Sequence, residues 1–167
     1  MTNTFTNMDG SFDSALIQGY QDDGTTPTSP WHWDAMVGCG GIISCAEDML
    51  NYIDFNLNPP EDVQDAINAC HNTWLRAGNT EMGLGWHKLQ MDGQEVLWHN
   101  GGTYSGTSFL GYVKRDVEKL IRCRMSRLEG VGVIVLSNVG FSEKMPLDSV
   151  ALDVLRNVMN GKIKIKN

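Results

Sequence analysis

Leu97 to Val113 reads LWHNGGTYSGTSFLGYV, and the rest of the chain can be interpreted from this segment outward. Its start has the period of a strand, because Gln94, Val96 and Trp98 alternate in direction with Glu95, Leu97 and His99. Just upstream, Asp92-Gly93 is a tight-hairpin signal after the strand-like Trp86 to Gln90, so one hairpin is expected to end in His99. Gly101, Gly102 and Gly106 follow, residues that let a backbone approach a ligand closely or take positive φ without steric cost. A polar side chain followed by bare backbone suits a strand edge lining a cleft. The alternative is that the glycines mark a bulge or a turn.

The strand period extends on both sides, over about 83–90, 94–99, 107–114 and 131–137, the last within the apolar run GVGVIVLSN from Gly130 to Asn138. Pro146 suits the first turn of a closing helix, whose Leu147, Val150, Ala151, Val154, Leu155 and Val158 form an apolar stripe before Asn160-Gly161. Upstream, Ser44-Cys45-Ala46-Glu47 has the pattern of a capping box, with Ala46, Met49, Leu50, Ile53 and Leu57 repeating on one helix face until Asn58-Pro59-Pro60. A second helix is expected from about Glu61, carrying Val63, Ile67, Cys70 and Trp74 and ending at Gly78-Asn79. Glu47 and Asp48 as an acid/base pair is disfavoured, because helix neighbours point about 100° apart. Residues 1–37 are rich in turn formers and read as loop, with a small strand near Gly19-Tyr20 and with Trp31 and Trp33 as anchors that could also touch a ligand. The fold class is α+β: an antiparallel sheet with a C-terminal covering helix plus a small helical region. The expected organisation is one domain, with loops and helices over 1–80, strands and the last helix over 81–161, and a solvated tail over 162–167.

At 41% hydrophobic and 20% charged residues, 167 residues suffice for one domain with a real core. No run of about 18 apolar residues occurs, so no membrane span is indicated, and Met1 precedes polar TNTFTN rather than a secretory leader. The net charge of −7 is uneven: residues 1–113 hold fourteen carboxylates against Arg76 and Lys88, while six basic residues crowd into Lys114 to Arg127. Without a basic face and stacking aromatics together, nucleic acid is not an expected partner. Cys39, Cys45, Cys70 and Cys123 lack a C-x-x-C pair and are expected to be buried free thiols. His32, His71, His87 and His99 show no H-x-H or H-x-x-x-H spacing, so neither a metal nor another cofactor is expected.

His99-Asn100-Gly101-Gly102, then Gly106, Ser108 and the Gly130 to Asn138 strand, resemble the C-terminal end of the class C β-lactamase-like serine hydrolases, with their D-alanyl-D-alanine carboxypeptidase and esterase relatives. Three further pieces match in order. Met1-Thr2-Asn3-Thr4 resembles the end of that family's PLGM-x-x-T segment. Gly40-Gly41-Ile42-Ile43-Ser44 with Ala46-Glu47-Asp48-Met49 resembles AGGL-x-S-x-x-D-M/L, and Gly83-Leu84-Gly85-Trp86 resembles GLGW. The resemblance implies a partial β-lactamase or penicillin-binding-protein-like transpeptidase fold, in which His99-Asn100-Gly101 is the strand triad facing the nucleophile. Residues 115–129 depart from the family, where a short turn joins the flanking strands. A basic binding loop and a gene-model error both remain open for that segment, and reading the messenger RNA across it decides between them.

The nucleophile itself is missing from the sequence. No serine has Lys three positions on, since Ser142 meets Lys144 one place early, and none of Tyr20, Tyr52, Tyr104 and Tyr112 begins a Tyr-x-Asn. Acyl transfer by this route needs a nucleophile and its base within hydrogen-bond reach. The chain is therefore expected to be a C-terminal portion of such a hydrolase, inactive alone. The alternative is a non-catalytic module that binds a peptide or acyl ligand with the same wall. What the resemblance implies is that His99 holds the substrate carboxylate or tunes proton transfer, and that the Gly102 N–H serves the oxyanion hole. Asn100, Gly101 and Thr103 are the implied substrate-contact positions. Histidine where β-lactamases of the class carry lysine points toward esterase or peptidase chemistry on small-molecule or peptide acyl substrates, since an unperturbed imidazole is mostly neutral near pH 7. For His99 the competing reading is a structural histidine bonded across the strand end. An apolar face left where the absent half would pack is expected to promote self-association.

Overall fold

The computed structural model describes residues 1–6, 14, 16–78, 80–114, 130–142 and 147–163. Short pieces come first: strands β1 (Phe5–Thr6), β2 (Gly19–Tyr20), β3 (Pro27–Thr28) and β4 (Ile42–Ile43), with a 3₁₀ segment at Asp34–Cys39. Helices α1 (Ala46–Leu57) and α2 (Gln64–His71) follow, then strands β5 (Leu75–Ala77), β6 (Thr80–Met82), β7 (His87–Met91), β8 (Gln94–Gly102), β9 (Thr107–Lys114) and β10 (Gly130–Ser137), and helix α3 (Leu147–Met159). The last six strands form one antiparallel sheet in the order β10-β9-β8-β7-β6-β5. No helix among the described residues is long and apolar enough to cross a membrane.

The meander follows from the sequence pattern. Asp92 (φ 51°) and Gly93 (φ 77°) both take positive φ, the two-residue turn whose twist matches a hairpin, so Met91 faces Gln94 and Leu89 faces Val96. That register sends Val96 to one face and Leu97 to the other. On the first face Met91, Val96, Val113 and Val131 pack with Leu155 of α3, and Trp98, Leu152 and Val158 close around them. On the second face Leu97, Leu110, Tyr112 and Trp86 pack with Ile53 of α1.

Several expectations are corrected. Helix α1 has Cys45 at its N-cap with no side-chain cap hydrogen bond, so the capping box does not form. Thr4 takes the Ser44 hydroxyl instead, at 2.8 Å. Asp48 is drawn inward to accept from the Asn3 N–H at 2.8 Å and the Thr4 hydroxyl at 2.7 Å, bonds that hold its carboxyl below the usual range. On that helix Ala46 and Leu50 face solvent while Asp48, Ile53 and Asn56 are buried. The second helix stops at His71, and Trp74 lies beyond it, exposed. Gly78 (φ 60°) sits in the bend between β5 and β6, because the hairpin pairs Leu75 with Met82. In α3 the buried side is Ala151 and Leu155 with Leu152, Val158 and Met159 beside it, whereas Val150 and Val154 of the expected stripe are exposed. Cys39 is exposed and Cys45 and Cys70 are half-buried, so the thiols are not the buried core groups expected. Residues 115–129 with Cys123, Pro146 and the tail beyond Ile163 lie outside the described residues.

Candidate functional site

Strand β8 carries the site. It was expected to end in His99, yet its ladder with β9 runs on through Asn100–Phe109 and Gly101–Ser108 to Gly102–Thr107. On the other side β7 pairs only as far as Trp98. Among the described residues, the last residues of β8 are thus paired on one side and open on the other, an edge within the sheet rather than at its end. The Thr103 N–H closes the hairpin onto the Gly106 carbonyl at 2.9 Å. By the alternation of an antiparallel ladder, the Gly102 and Asn100 amides then face away from β9, toward the open side.

His99 is exposed there. Its Nδ1 lies 2.6 Å from the Asn100 carbonyl oxygen. A carbonyl can only accept, so Nδ1 donates, and in the neutral ring Nε2 is left as an acceptor. The ring leans over the open edge to within 5.3 Å, between centroids, of His87, which in turn packs at 4.8 Å on Trp98. Burial first, and the neighbouring His99 second, lower the His87 pKa below the ordinary imidazole value.

The remaining expected positions divide. Asn100 donates from Nδ2 to Asp148 Oδ2 of α3 at 2.6 Å. Gly102 has Phe141 against it: a Cβ placed there would meet the Phe141 Cβ at 2.9 Å, so glycine is needed for this close approach. Gly101 needs a small residue less strictly, its nearest neighbour being Ser108 Oγ at 3.0 Å from such a Cβ. Thr103 is a turn residue, accepting from the Ser105 N–H at 3.2 Å and donating to the Gly106 carbonyl at 3.3 Å. Beside these residues lies an open groove of about 480 Å³, bounded by Asn100, Gly101, Gly102, Ser108, Phe141 and Asp148 among others; His99 is not among its lining residues.

Of the site's neighbours, Trp31 was expected as a loop anchor, whereas Phe141 and Asp148 carried no signal in the sequence. Trp31 makes edge-on contacts with Trp33 at 5.0 Å and with Tyr104 at 4.8 Å, which sets an aromatic cluster against the tip of the β8–β9 hairpin. Phe141 and Asp148 reach the groove from segments far along the chain. No group of three or more potential metal ligands occurs among the described residues.

Comparison with known proteins bears on this arrangement. A family model described as Beta-lactamase matches residues 1–155. The chain belongs to the β-lactamase family. The solved class C β-lactamase from Rhodobacter sphaeroides superposes with a TM-score of 0.68 at 15% identity, over 96% of this chain and 50% of that one. The D-amino acid amidase from Ochrobactrum anthropi SV3, solved with D-phenylalanine, superposes with a TM-score of 0.59 at 15% identity, over 96% of this chain and 49% of that one. At that identity the likeness concerns the fold. This family member spans about half the length of either structure. Among curated proteins none matches. The antiparallel sheet with its C-terminal helix is the family's α+β arrangement.

Proposed function

We propose that the chain supplies the substrate-holding wall of a β-lactamase-type serine hydrolase site, with the serine and its activating base contributed by S-x-x-K and Y-x-N elements that these residues do not contain. The observation that carries this reading is the open edge of β8, where His99 is exposed and the Gly102 amide faces outward. Gly102 donates its N–H to the oxyanion of an acyl intermediate, a contribution of roughly 10²–10³ in turnover. His99, with Nδ1 committed to the Asn100 carbonyl, offers Nε2 to proton transfer beside the serine. Gly101 keeps the wall flat so that an acyl group can lie along it, and Thr103 fixes the bend beyond it. Asn100 acts through its carbonyl, which orients His99, and through its amide, which holds Asp148.

A serine-reactive phosphonate tests this. The 167-residue chain alone stays unlabelled. The same chain joined behind a segment carrying S-x-x-K and Y-x-N is labelled at that serine, and His99→Ala in the joined protein slows labelling at least about tenfold. Labelling of the chain alone, or a rate indifferent to His99→Ala, overturns the reading.

A groove bounded by the chain's own residues supports a second reading, a binding module without catalysis. On that reading the chain takes a peptide or acyl ligand that lies along the β8 edge from the groove to His99 and loses affinity on His99→Ala, and unchanged affinity argues against it. Exposed Leu50, Phe55, Trp74, Leu75 and Leu84 supply apolar surface for self-association, which sedimentation of a dilute monomer would contradict.

A further inference from the structure

The groove beside Gly101 and Gly102 has a charge of its own. Asp148 lies in the first turn of α3, where the helix N-terminus favours an anion. In many proteins such a terminus receives the anionic group of a ligand. Here the chain's own carboxylate occupies that place, and Asn100 Nδ2 fixes it with a 2.6 Å bond to Oδ2. Among the described residues that line the groove, Asp148 is the only charged one. Phe141, 63% exposed, gives the same groove an apolar wall against Gly102.

We propose that Asp148 is the specificity-determining residue of this groove, turning away carboxylate-bearing acyl substrates and favouring those that carry an ammonium group, while Asn100 positions its carboxylate. The inference rests on the reading of β8 as a substrate-holding wall. A ligand whose carbonyl sits at Gly102 and whose ring lies along Phe141 brings its far substituent toward α3. A second carboxylate there meets Asp148 with no cation among the described lining residues, and like charges set together in a binding site are strongly disfavoured. An ammonium group meets that carboxylate instead. The groove therefore selects on charge, whatever acyl chemistry the assembled site performs.

Three probes with the same benzamide carbonyl separate the possibilities: para-aminomethylbenzamide (cation), para-methylbenzamide (neutral) and para-carbamoylbenzoate (anion). Backbone amide shifts of the full chain near neutral pH report binding at Gly101, Gly102 and Asp148. The cation is expected to bind about tenfold tighter than the anion, a preference that narrows as salt is added. Asp148→Asn keeps a side chain able to bond Asn100 and brings the two ligands within about twofold; Asp148→Glu, which restores the charge, restores the preference. A thermal melt of each variant separates loosening of α3 from loss of selectivity. If the three probes shift the His99 to Gly102 amides equally, or Asp148→Asn leaves the preference intact, the charge-selection inference falls and the wall reading stands. If no probe shifts those amides, both fall.

Discussion

The two faces of the six-stranded sheet are made from the same strands by the same alternation, yet they are built on different chemistry. The face under α3 has a hydrocarbon centre, where Val96, Phe109, Val113, Val131 and Leu155 are almost wholly excluded from water, with His87 and the Asn100–Asp148 pair toward its open edge. The face under α1 buries polar groups among its apolar ones. Tyr112 Oη lies 2.6 Å from His71 Nε2 and 3.4 Å from Asn56 Oδ1, and the Asn56 amide donates to the Tyr52 carbonyl at 2.9 Å. With Nε2 protonated and Tyr112 donating to Asn56, only the His71 Nδ1 lone pair is left without a partner, consistent with its being an orphan atom. Buried Lys88 donates to the His71 carbonyl at 2.8 Å and to Thr73 Oγ1 at 3.0 Å, and pairs with Glu95 at 3.0 Å. A centre held by dispersion and burial is indifferent to pH, whereas one held by titratable groups is not, and the site residue His99 projects from the second face.

The largest expected effect breaks the apolar face. Phe109→Ala removes a ring that is fully buried and stacked at 5.7 Å on Trp98, and should cost about 3–5 kcal/mol in urea unfolding. The same loss is expected at pH 7 and pH 4.5, and a cost that depended on pH would erase the contrast between the faces.

The polar face should respond to pH itself. Burial, helped by the charges of Lys114 and Lys88, pushes the His71 pKa from 6.5 down to about 4. The unfolded chain then takes up the His71 proton first as pH falls, so stability is full above about 6.5 and is lost progressively down to about 4. Between pH 7 and pH 4.5 the loss assigned to His71 is about 2–3 kcal/mol. Urea midpoints at the two pH values check this, and His71→Gln should flatten the difference. A slope unchanged in that variant would remove His71 as its source.

Tyr112→Phe sharpens the comparison at about 1–2 kcal/mol, because the bonds to His71 and Asn56 vanish while the ring stays packed against Trp86 at 5.1 Å. Burial raises the Tyr112 pKa well above its ordinary value of 10.0, so this cost should hold below about pH 10 and shrink above it, where the unfolded chain's tyrosine ionises first. The smallest effect belongs to the surface. Arg156, about half exposed in its pairing with Asp92 at 3.7 Å, should change unfolding free energy by less than about 1 kcal/mol when replaced by Ala.

The elements legible in the sequence were those with strong local signals. Asp92-Gly93 gave the hairpin because only a few residues accept two successive positive φ values. The alternation from Gln94 to His99 and the run from Gly130 to Ser137 gave strands, and the spacing after Asn58-Pro59-Pro60 gave the break between helices. The second helix was read too long because Trp74 continues the apolar spacing, while the competing hairpin, Leu75 to Met82, draws its stability from joining a sheet edge that the local pattern does not contain. The capping box failed for a similar reason: Thr4, 40 residues away, offers the Ser44 hydroxyl a partner outside its own helix. At the site, His99 and the glycines were legible from the residue order and its family resemblance. The Asn100–Asp148 bond, the Phe141 contact and the His87–His99 pair were not, since each joins segments that meet only after the sheet has folded.

By itself the sequence determined the cores of the four longest strands, the Asp92-Gly93 turn, that an imidazole precedes a bare glycine backbone, and that no S-x-x-K or Y-x-N occurs, because periodicity, turn chemistry and motif order are properties of neighbours along the chain. The tertiary structure alone decided that β8 outruns β7, leaving an open edge inside the sheet, and that a carboxylate from α3 stands beside it. Strand lengths and cross-sheet partners are settled by packing between distant segments, and no local pattern carries that information.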